Sequence, residues 1–265
     1  MTLIVDEGML REPNLLIPGR KPVGSVKIDW RHPSSGGLVA YIMPRSKDGL
    51  GKFPNYANHS IPGVAEGTAP TSNPFRTAIE GESIECHPSG GTFGVDYITV
   101  DGSVIGNSDD CTMISVTRPN TFTSPNEGNI YRGVGNDSLR STITSTNFYF
   151  SYVDSSPLAG HDTNLTLPSI ALGDYIPVAG RKDSNVVQGF ALVNNSFLSS
   201  ATAGGTGSGT MRDDGSGNKI RLNGGSNINN TGHINVIVSM VFRRALSDSE
   251  IESLLRDPYQ FIVPA

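Results

Sequence analysis

The sequence predicts an all-β protein: an antiparallel β-sandwich closed by one short C-terminal helix and preceded by an extended N-terminal arm. Three observations point there. The 265 residues include 31 glycines and 17 prolines, and only 17% are charged, a balance that suits many short strands joined by tight turns. Apolar residues, 36% of the chain, recur in short runs bounded by Gly, Pro, Asn or Asp. One stretch alone, Arg243 to Phe261, carries paired helix start and stop signals.

Residues 1–35 form the expected arm, and residues 36–265 the sandwich domain. Pro13, Pro18, Pro22 and Pro33 oppose both helix and central strand in the arm. Leu15, Leu16, Ile17, Val26, Ile28 and Trp30, the chain's one tryptophan, give it apolar anchors. Such an arm either lies over its own domain or reaches a neighbouring subunit. Leu38 to Met43 reads as the first strand of the sandwich, bounded by Gly37 and Pro44. Residues 45–80 are rich in Gly, Pro, Asn and Ser and read as a long loop, with Lys47, Asp48, Lys52 and Arg76 solvated.

Further strands are expected at Tyr97–Val100, before an Asp101-Gly102 turn, and at Met113–Val116. Phe148–Val153 is the most aromatic run and reads as a central strand. Tyr175–Ala179 contains Pro177, which cannot donate to a ladder, so that strand is expected at an edge or at a bulge. Gly189–Val193 and Lys219–Leu222 follow, separated by the Gly-rich loop 201–210. In Ile234–Phe242 every even position is apolar, so period two puts Ile234, Val236, Val238, Met240 and Phe242 on one buried face.

The closing helix is specified locally. Ser247 and Glu250 have the spacing of a capping box, and Leu246 and Ile251 that of a hydrophobic staple. Asp248 and Glu250 stand at the positive end of the helix dipole and Arg256 near the negative end. Asp257-Pro258 stops the helix. A helix this short does not hold in water by itself, so its stripe of Ile251, Leu254 and Leu255 must pack on the sheet beside it.

A net charge of −5 argues against nucleic acid as a partner. The first eight residues lack the basic region of a secretory signal, and no apolar run is long enough to span a bilayer, so membrane insertion is not expected. Cys86 and Cys111 are too few for a disulfide framework, although they could pair.

Both ends of the chain resemble one family. Phe242 to Leu254 (F-R-R-A-L-S-D-S-E-I-E-S-L) followed by D-P-Y-Q-F is similar to the end of laminin-G-like, concanavalin A-like jelly rolls, above all those of tailed-phage virion proteins. Asn14 to Pro33, followed by G-G-L-V-A-Y, resembles the lead-in of the same proteins. Gly90 to Val100 and Cys111 to Pro119 resemble two of their interior strands. The piece D-Y-I-P-V-A-G departs from the family's usual strand at Pro177, and residues 45–80 have no counterpart.

The resemblance implies a concanavalin A-like jelly roll located in a virion. The expected role is that of a non-enzymatic structural protein, in capsid decoration or the tail, with other virion proteins as partners and a homo-oligomer, a trimer among the options, as its state. Leu16, Ile17 and Trp30 on the arm and Tyr259 and Phe261 on the tail are the expected assembly contacts, as apolar groups outside the regular elements. The alternative is a glycan-binding module, because one sandwich supports both roles.

Candidate reactive groups are sparse. Glycan hydrolysis needs two acids converging on one bond; Glu80, Glu82 and Glu85 come nearest but lack a flanking apolar strand and read as solvated loop. Calcium is the one candidate cofactor, with Asp109 and Asp110 its expected ligands and Asp213-Asp214 reading rather as turn chemistry. The five histidines show no zinc spacing. Tyr41, Tyr56, Tyr131, Tyr149, Tyr152 and Tyr175 are candidates for stacking on sugars, though strand aromatics mostly serve the core.

Overall fold

The strand Ile234–Phe242 is apolar on both sides, and the fold uses both. Val241 points into one apolar core, while Val238, Met240 and Phe242 point into another. A sheet buried on both faces needs a layer on each side. The computed structural model describes residues 25–43, 52–66, 75–78, 81–86, 97–101, 110–119, 129–133, 139–153, 160–204, 219–222 and 234–265.

In chain order the strands are β1 (Val26–Ile28), β2 (Leu38–Ile42), β3 (Lys52–Phe53), β4 (Gly63–Glu66), β5 (Phe75–Ala78), β6 (Gly81–Cys86), β7 (Tyr97–Asp101), β8 (Cys111–Pro119), β9 (Asn129–Gly133), β10 (Leu139–Ile143), β11 (Asn147–Val153), β12 (Gly160–Thr166), β13 (Ile176–Asp183), β14 (Val186–Val193), β15 (Ser196–Ser199), β16 (Ala203–Gly204), β17 (Lys219–Leu222), β18 (Ile234–Phe242) and β19 (Ile262–Pro264). An eight-stranded sheet runs β12-β11-β10-β9-β17-β7-β4-β3. A nine-stranded sheet runs β15-β14-β13-β8-β18-β6-β5, with β2 added to β18 and β16 to β14. The pairings are antiparallel, including the separate pair β1–β19.

Between the two sheets lie Met113, Val178, Ala191 and Val241 from one side and Ile98, Ile143, Phe148, Phe150 and Tyr152 from the other. Gly180 on β13 is required here, because the ring of Phe150 lies where any Cβ would stand. The far face of the nine-stranded sheet carries Ile114, Val116, Ala179, Phe190, Val238, Met240 and Phe242. The helix Asp248–Arg256 covers it with Ile251, Leu254 and Leu255, each fully buried. Burial of each is worth ~2 kcal/mol, which is what holds a helix too short to stand alone.

The start of the helix is fixed from several directions. The Ser247 hydroxyl accepts the Glu250 amide while Glu250 Oε2 accepts the Ser247 amide, closing the expected capping box. Glu250 also takes both guanidinium nitrogens of Arg244, at 2.7 and 3.0 Å. That fork and the Ser247 bonds hold its carboxyl down to about 2. Thr112 on β8 accepts the Leu246 amide and donates to the Arg244 carbonyl, both at 2.9 Å. Arg181 on β13 donates to the Leu246 carbonyl and to Asp248.

Several expectations need correction. The stretch 45–80, expected as loop, contributes β3, β4 and β5. These strands are two to four residues long and their pattern is too short to register as periodic; a buried Asn55 organises the turn between two of them, accepting from the amides of Tyr41, Ala57 and Asn58 and donating to the Ile61 carbonyl. Glu82 and Glu85 lie on β6 instead of in loop, and Glu80 lies outside the described residues.

β13 is interior, flanked by β8 and β14, although it contains Pro177. Pairing with β14 begins only at Val178, so the proline nitrogen lies where β14 asks for no donor. Residues 25–35, assigned to the arm, are built into the third layer: β1 pairs with β19, and Val26 and Ile28 are buried. Residues 1–24 lie outside the described residues.

Cys86 and Cys111 cannot pair. Cys86 is in register with Ile234, which is in register with Pro119 at the far end of β8 from Cys111. Eight residues of strand separate the two ends by ~26 Å, against a Cα separation of about 7 Å at most for a disulfide. Cys111 is a buried free thiol, pushed up to about 12 by desolvation.

Candidate functional site

The outer face of the eight-stranded sheet, around β11 and β12, is where the fold leaves an aromatic ring exposed amid polar side chains. β11 alternates strictly. Phe148, Phe150 and Tyr152 enter the core, which sends Asn147, Tyr149 and Ser151 outward. β12 alternates in phase: His161, Thr163 and Leu165 are buried, and Asp162, Asn164 and Thr166 are exposed. Tyr149 is 37% exposed, and among the described residues only Trp30 and Leu172 join it as exposed large apolar groups.

Register arranges the neighbours of Tyr149. Asn164 stands directly opposite on β12 and Thr142 directly opposite on β10. Ser151 faces Asp162, and Asn147 faces Thr166. Directly opposed Cβ atoms lie ~5 Å apart and diagonal ones ~7–8 Å, so the amide, hydroxyl and carboxylate groups of Asn147, Ser151, Asp162 and Asn164 lie within one sugar's reach of the ring, whereas Thr142 is buried.

This patch is held rigidly. The hairpin before β11 is closed by the Thr144 amide donating to the Asn147 carbonyl, 2.8 Å, and by the Asn147 amide donating to the Thr144 hydroxyl, 3.0 Å. The chain after β12 pins the same turn, Leu167 donating to the Thr146 carbonyl and Ile170 to that of Ser145. On the inner side His161 stacks on Tyr152 with centroids 4.6 Å apart. The ammonium of Lys182, fully buried, lies 4.9 Å from the Tyr152 centroid and donates to the Ser184 carbonyl. Chemically the patch can stack on the C–H face of a pyranose and hydrogen-bond its hydroxyls.

The residues singled out in the sequence fall elsewhere. Trp30 sits in the turn after β1, 56% exposed. Tyr259 and Phe261 are corrected: they are 4% and 0% exposed, buried in this chain's own second core, where no partner can reach them. Phe261 packs edge-on against Tyr41 at 5.4 Å, and the Tyr41 hydroxyl donates to the Pro258 carbonyl, so D-P-Y-Q-F is a packing motif. Leu16 and Ile17 lie outside the described residues, as does Asp109.

Asp110 accepts the Ser184 amide at 2.7 Å and so braces the β13–β14 turn, where Ser184 holds a positive φ of 53°. No cluster of three potential metal-ligating side chains occurs among the described residues. Of the candidate tyrosines, Tyr41 and Tyr152 are core and Tyr149 is exposed. Asp162 and Asn164 escaped sequence reading because G-H-D-T-N-L-T carries little apolar signal; its strict alternation was the available clue.

Two stacked antiparallel sheets with a helical lid define the class: a jelly-roll β-sandwich. No family model matches the sequence, and no curated protein is similar to it. Solved structures match the fold. The binding domain of Paraclostridial Mosquitocidal Protein 1 is 15% identical with a TM-score of 0.60, over 83% of this chain and 52% of that one. The binding domain of botulinum neurotoxin DC in complex with SialylT is 13% identical with a TM-score of 0.56, over 86% and 53%. Trypanosoma rangeli sialidase is 12% identical with a TM-score of 0.54, over 85% and 33%. The chain therefore spans about half of the toxin binding domains and a third of the sialidase. No helix among the described residues is long and apolar enough to cross a membrane.

Proposed function

We propose that this chain is a glycan-binding module, and that its contact face is the outer surface of the eight-stranded sheet centred on Tyr149. The observation that carries this reading is the exposed Tyr149 ring flanked in register by Asn164, Asp162, Ser151 and Asn147. A strand aromatic normally enters the core, so one left outward among hydrogen-bonding groups has the composition of a sugar platform. The fold likeness to toxin binding domains, one of them in complex with SialylT, supports the class of role.

A glycan array probed with the full chain tests the reading. Tyr149→Ala is expected to weaken the best binder about tenfold or more, the worth of one stacked aromatic. Unchanged binding in that variant would sink this face as the site.

A second reading, a structural component of a phage virion that assembles with copies of itself and with other virion proteins, rests on the sequence resemblance and on the 56% exposure of Trp30. Its test is the oligomeric state of the chain by light scattering. Trp30→Ala is expected to shift an oligomer toward monomer, and a monomeric wild type would refute it.

A further inference from the structure

Arg118 differs from the arginines whose partners are seen. Arg31 pairs with Asp29, Arg181 with Asp248, Arg244 with Glu250 and Arg256 with Glu252. Arg118 is half-buried, yet it makes no ion pair among the described residues. Its guanidinium carbon stands instead 5.6 Å from the centroid of the Tyr175 ring.

The strand places it there. Ile114 and Val116 on β8 face the helix-side core, and Arg118 continues their parity. Thr112, which anchors the start of the helix, is six residues back along the same strand, ~20 Å away. Asn235, directly opposite Arg118 on β18, is buried.

The chain entering β13 bends over the guanidinium. The Gly173 amide donates to the Pro119 carbonyl at 2.8 Å, and the Asp174 amide to the Ala171 carbonyl at 3.2 Å. Asp174 is the acid of this bend, and its Oδ2 accepts the Ala171 amide at 3.0 Å. Gly173 holds a φ of +89°, and a Cβ there would lie 3.4 Å from Arg118 Nη2. Leu172, the residue before it, is 57% exposed.

The guanidinium is thus fixed on its inner side and open on its outer side. Nε is wholly buried and has no hydrogen-bond partner, whereas Nη1 and Nη2 keep contact with solvent. Partial burial of a cation is unfavourable unless an anion or hydrogen bonds offset it. The Tyr175 ring returns part of that cost, and it also sets the plane of the group. What remains is a planar pair of donors, held in place and without an acceptor.

We infer that Arg118 anchors an oxyanion site, taking a carboxylate, sulfate or phosphate group of a ligand two-pronged at Nη1 and Nη2, with Leu172 offering apolar contact beside it. Guanidinium suits the task because its terminal nitrogens match the spacing of two oxygens on any of these groups. The site lies on the helix side of the nine-stranded sheet, whereas Tyr149 faces outward from the other sheet, so the two readings stand or fall separately.

Nuclear magnetic resonance of the arginine side chains tests it. The full chain, labelled with nitrogen-15, is titrated with sodium acetate, sodium sulfate and sodium phosphate, with sodium chloride keeping the ionic strength constant so that general screening does not change. The Arg118 side-chain signal, assigned by its loss in Arg118→Lys, is expected to shift and saturate with at least one of the three. The Arg31 signal, from a side chain 93% exposed and already paired, is expected to show no saturation. Which anions saturate the site separates a carboxylate ligand from a tetrahedral one.

The wild-type titration needs no variant to fold. Arg118→Lys keeps the charge and removes the fork, so the backbone signals of Leu172 and Gly173 in that variant are expected to report binding about tenfold weaker or more, the worth of a charge-assisted hydrogen bond. No saturating shift at Arg118 with any of the three anions, equal shifts at Arg118 and Arg31, or undiminished affinity in Arg118→Lys would each overturn the inference.

Discussion

Replacing Glu250 by Gln should make the protein less stable at neutral pH and nearly indifferent to the change in acid. The Glu250 carboxyl sits at about 2 in the folded chain against an ordinary value of 4.5, chiefly because Arg244 grips both its oxygens. That difference of 2.5 units corresponds to at most ~3.4 kcal/mol at ~1.36 kcal/mol per unit. The two side chains are 30% and 32% exposed, and solvent screening brings the expected loss to ~1–2 kcal/mol.

The sign follows from the direction of the shift. A carboxyl depressed on folding contributes fully above its unfolded value, and its contribution declines as the pH falls toward the folded one. More than half should be gone by about pH 3. Urea unfolding of wild type and Glu250→Gln at pH 7, 5, 4 and 3 reads this directly as a gap in ΔG that closes in acid. A gap that stays constant from pH 7 to pH 3, or no gap at pH 7, would refute the account of the helix clamp.

Gly180→Ala should cost ~2–3 kcal/mol by driving a methyl into the Phe150 ring, and Phe150→Leu in the same chain should recover part of it; simple additivity in the double-mutant cycle would contradict the contact. Thr112→Val should cost ~1–3 kcal/mol, because the Leu246 amide and Arg244 carbonyl both lose a buried partner. Tyr41→Phe, which removes only the bond to the Pro258 carbonyl, should cost ~1 kcal/mol in the same urea assay. In a Cys86→Ala background, Cys111 should resist thiol reagents until the chain unfolds, since burial pushes its thiol up to about 12; rapid labelling of the native protein would be inconsistent with that.

The closing helix and the strand before it were legible because their signals are local. Ser247, Glu250, Leu246 and Ile251 lie within six residues, and β18 is nine residues of period-two pattern. β3 and β4 were not, since strands of two and four residues give no period, and what stabilises them is Asn55 and the neighbouring β7. β12 was missed because its buried positions are His161, Thr163 and Leu165, apolar enough only when Phe148, Phe150 and Tyr152 stand beside them. Tyr259 and Phe261 were misassigned because a tail after a helix reads as free chain, whereas β19 folds back onto β1.

The pairing of β1 with β19 brings Ser25 and Ala265 together, the Ala265 amide donating to the Ser25 carbonyl at 3.1 Å. Both lie on the helix side of the nine-stranded sheet, while Tyr149 looks out from the far layer. The molecule thus has a handle and a palm. Ser25 and Ala265 therefore meet at one corner of the layer that lies furthest from Tyr149.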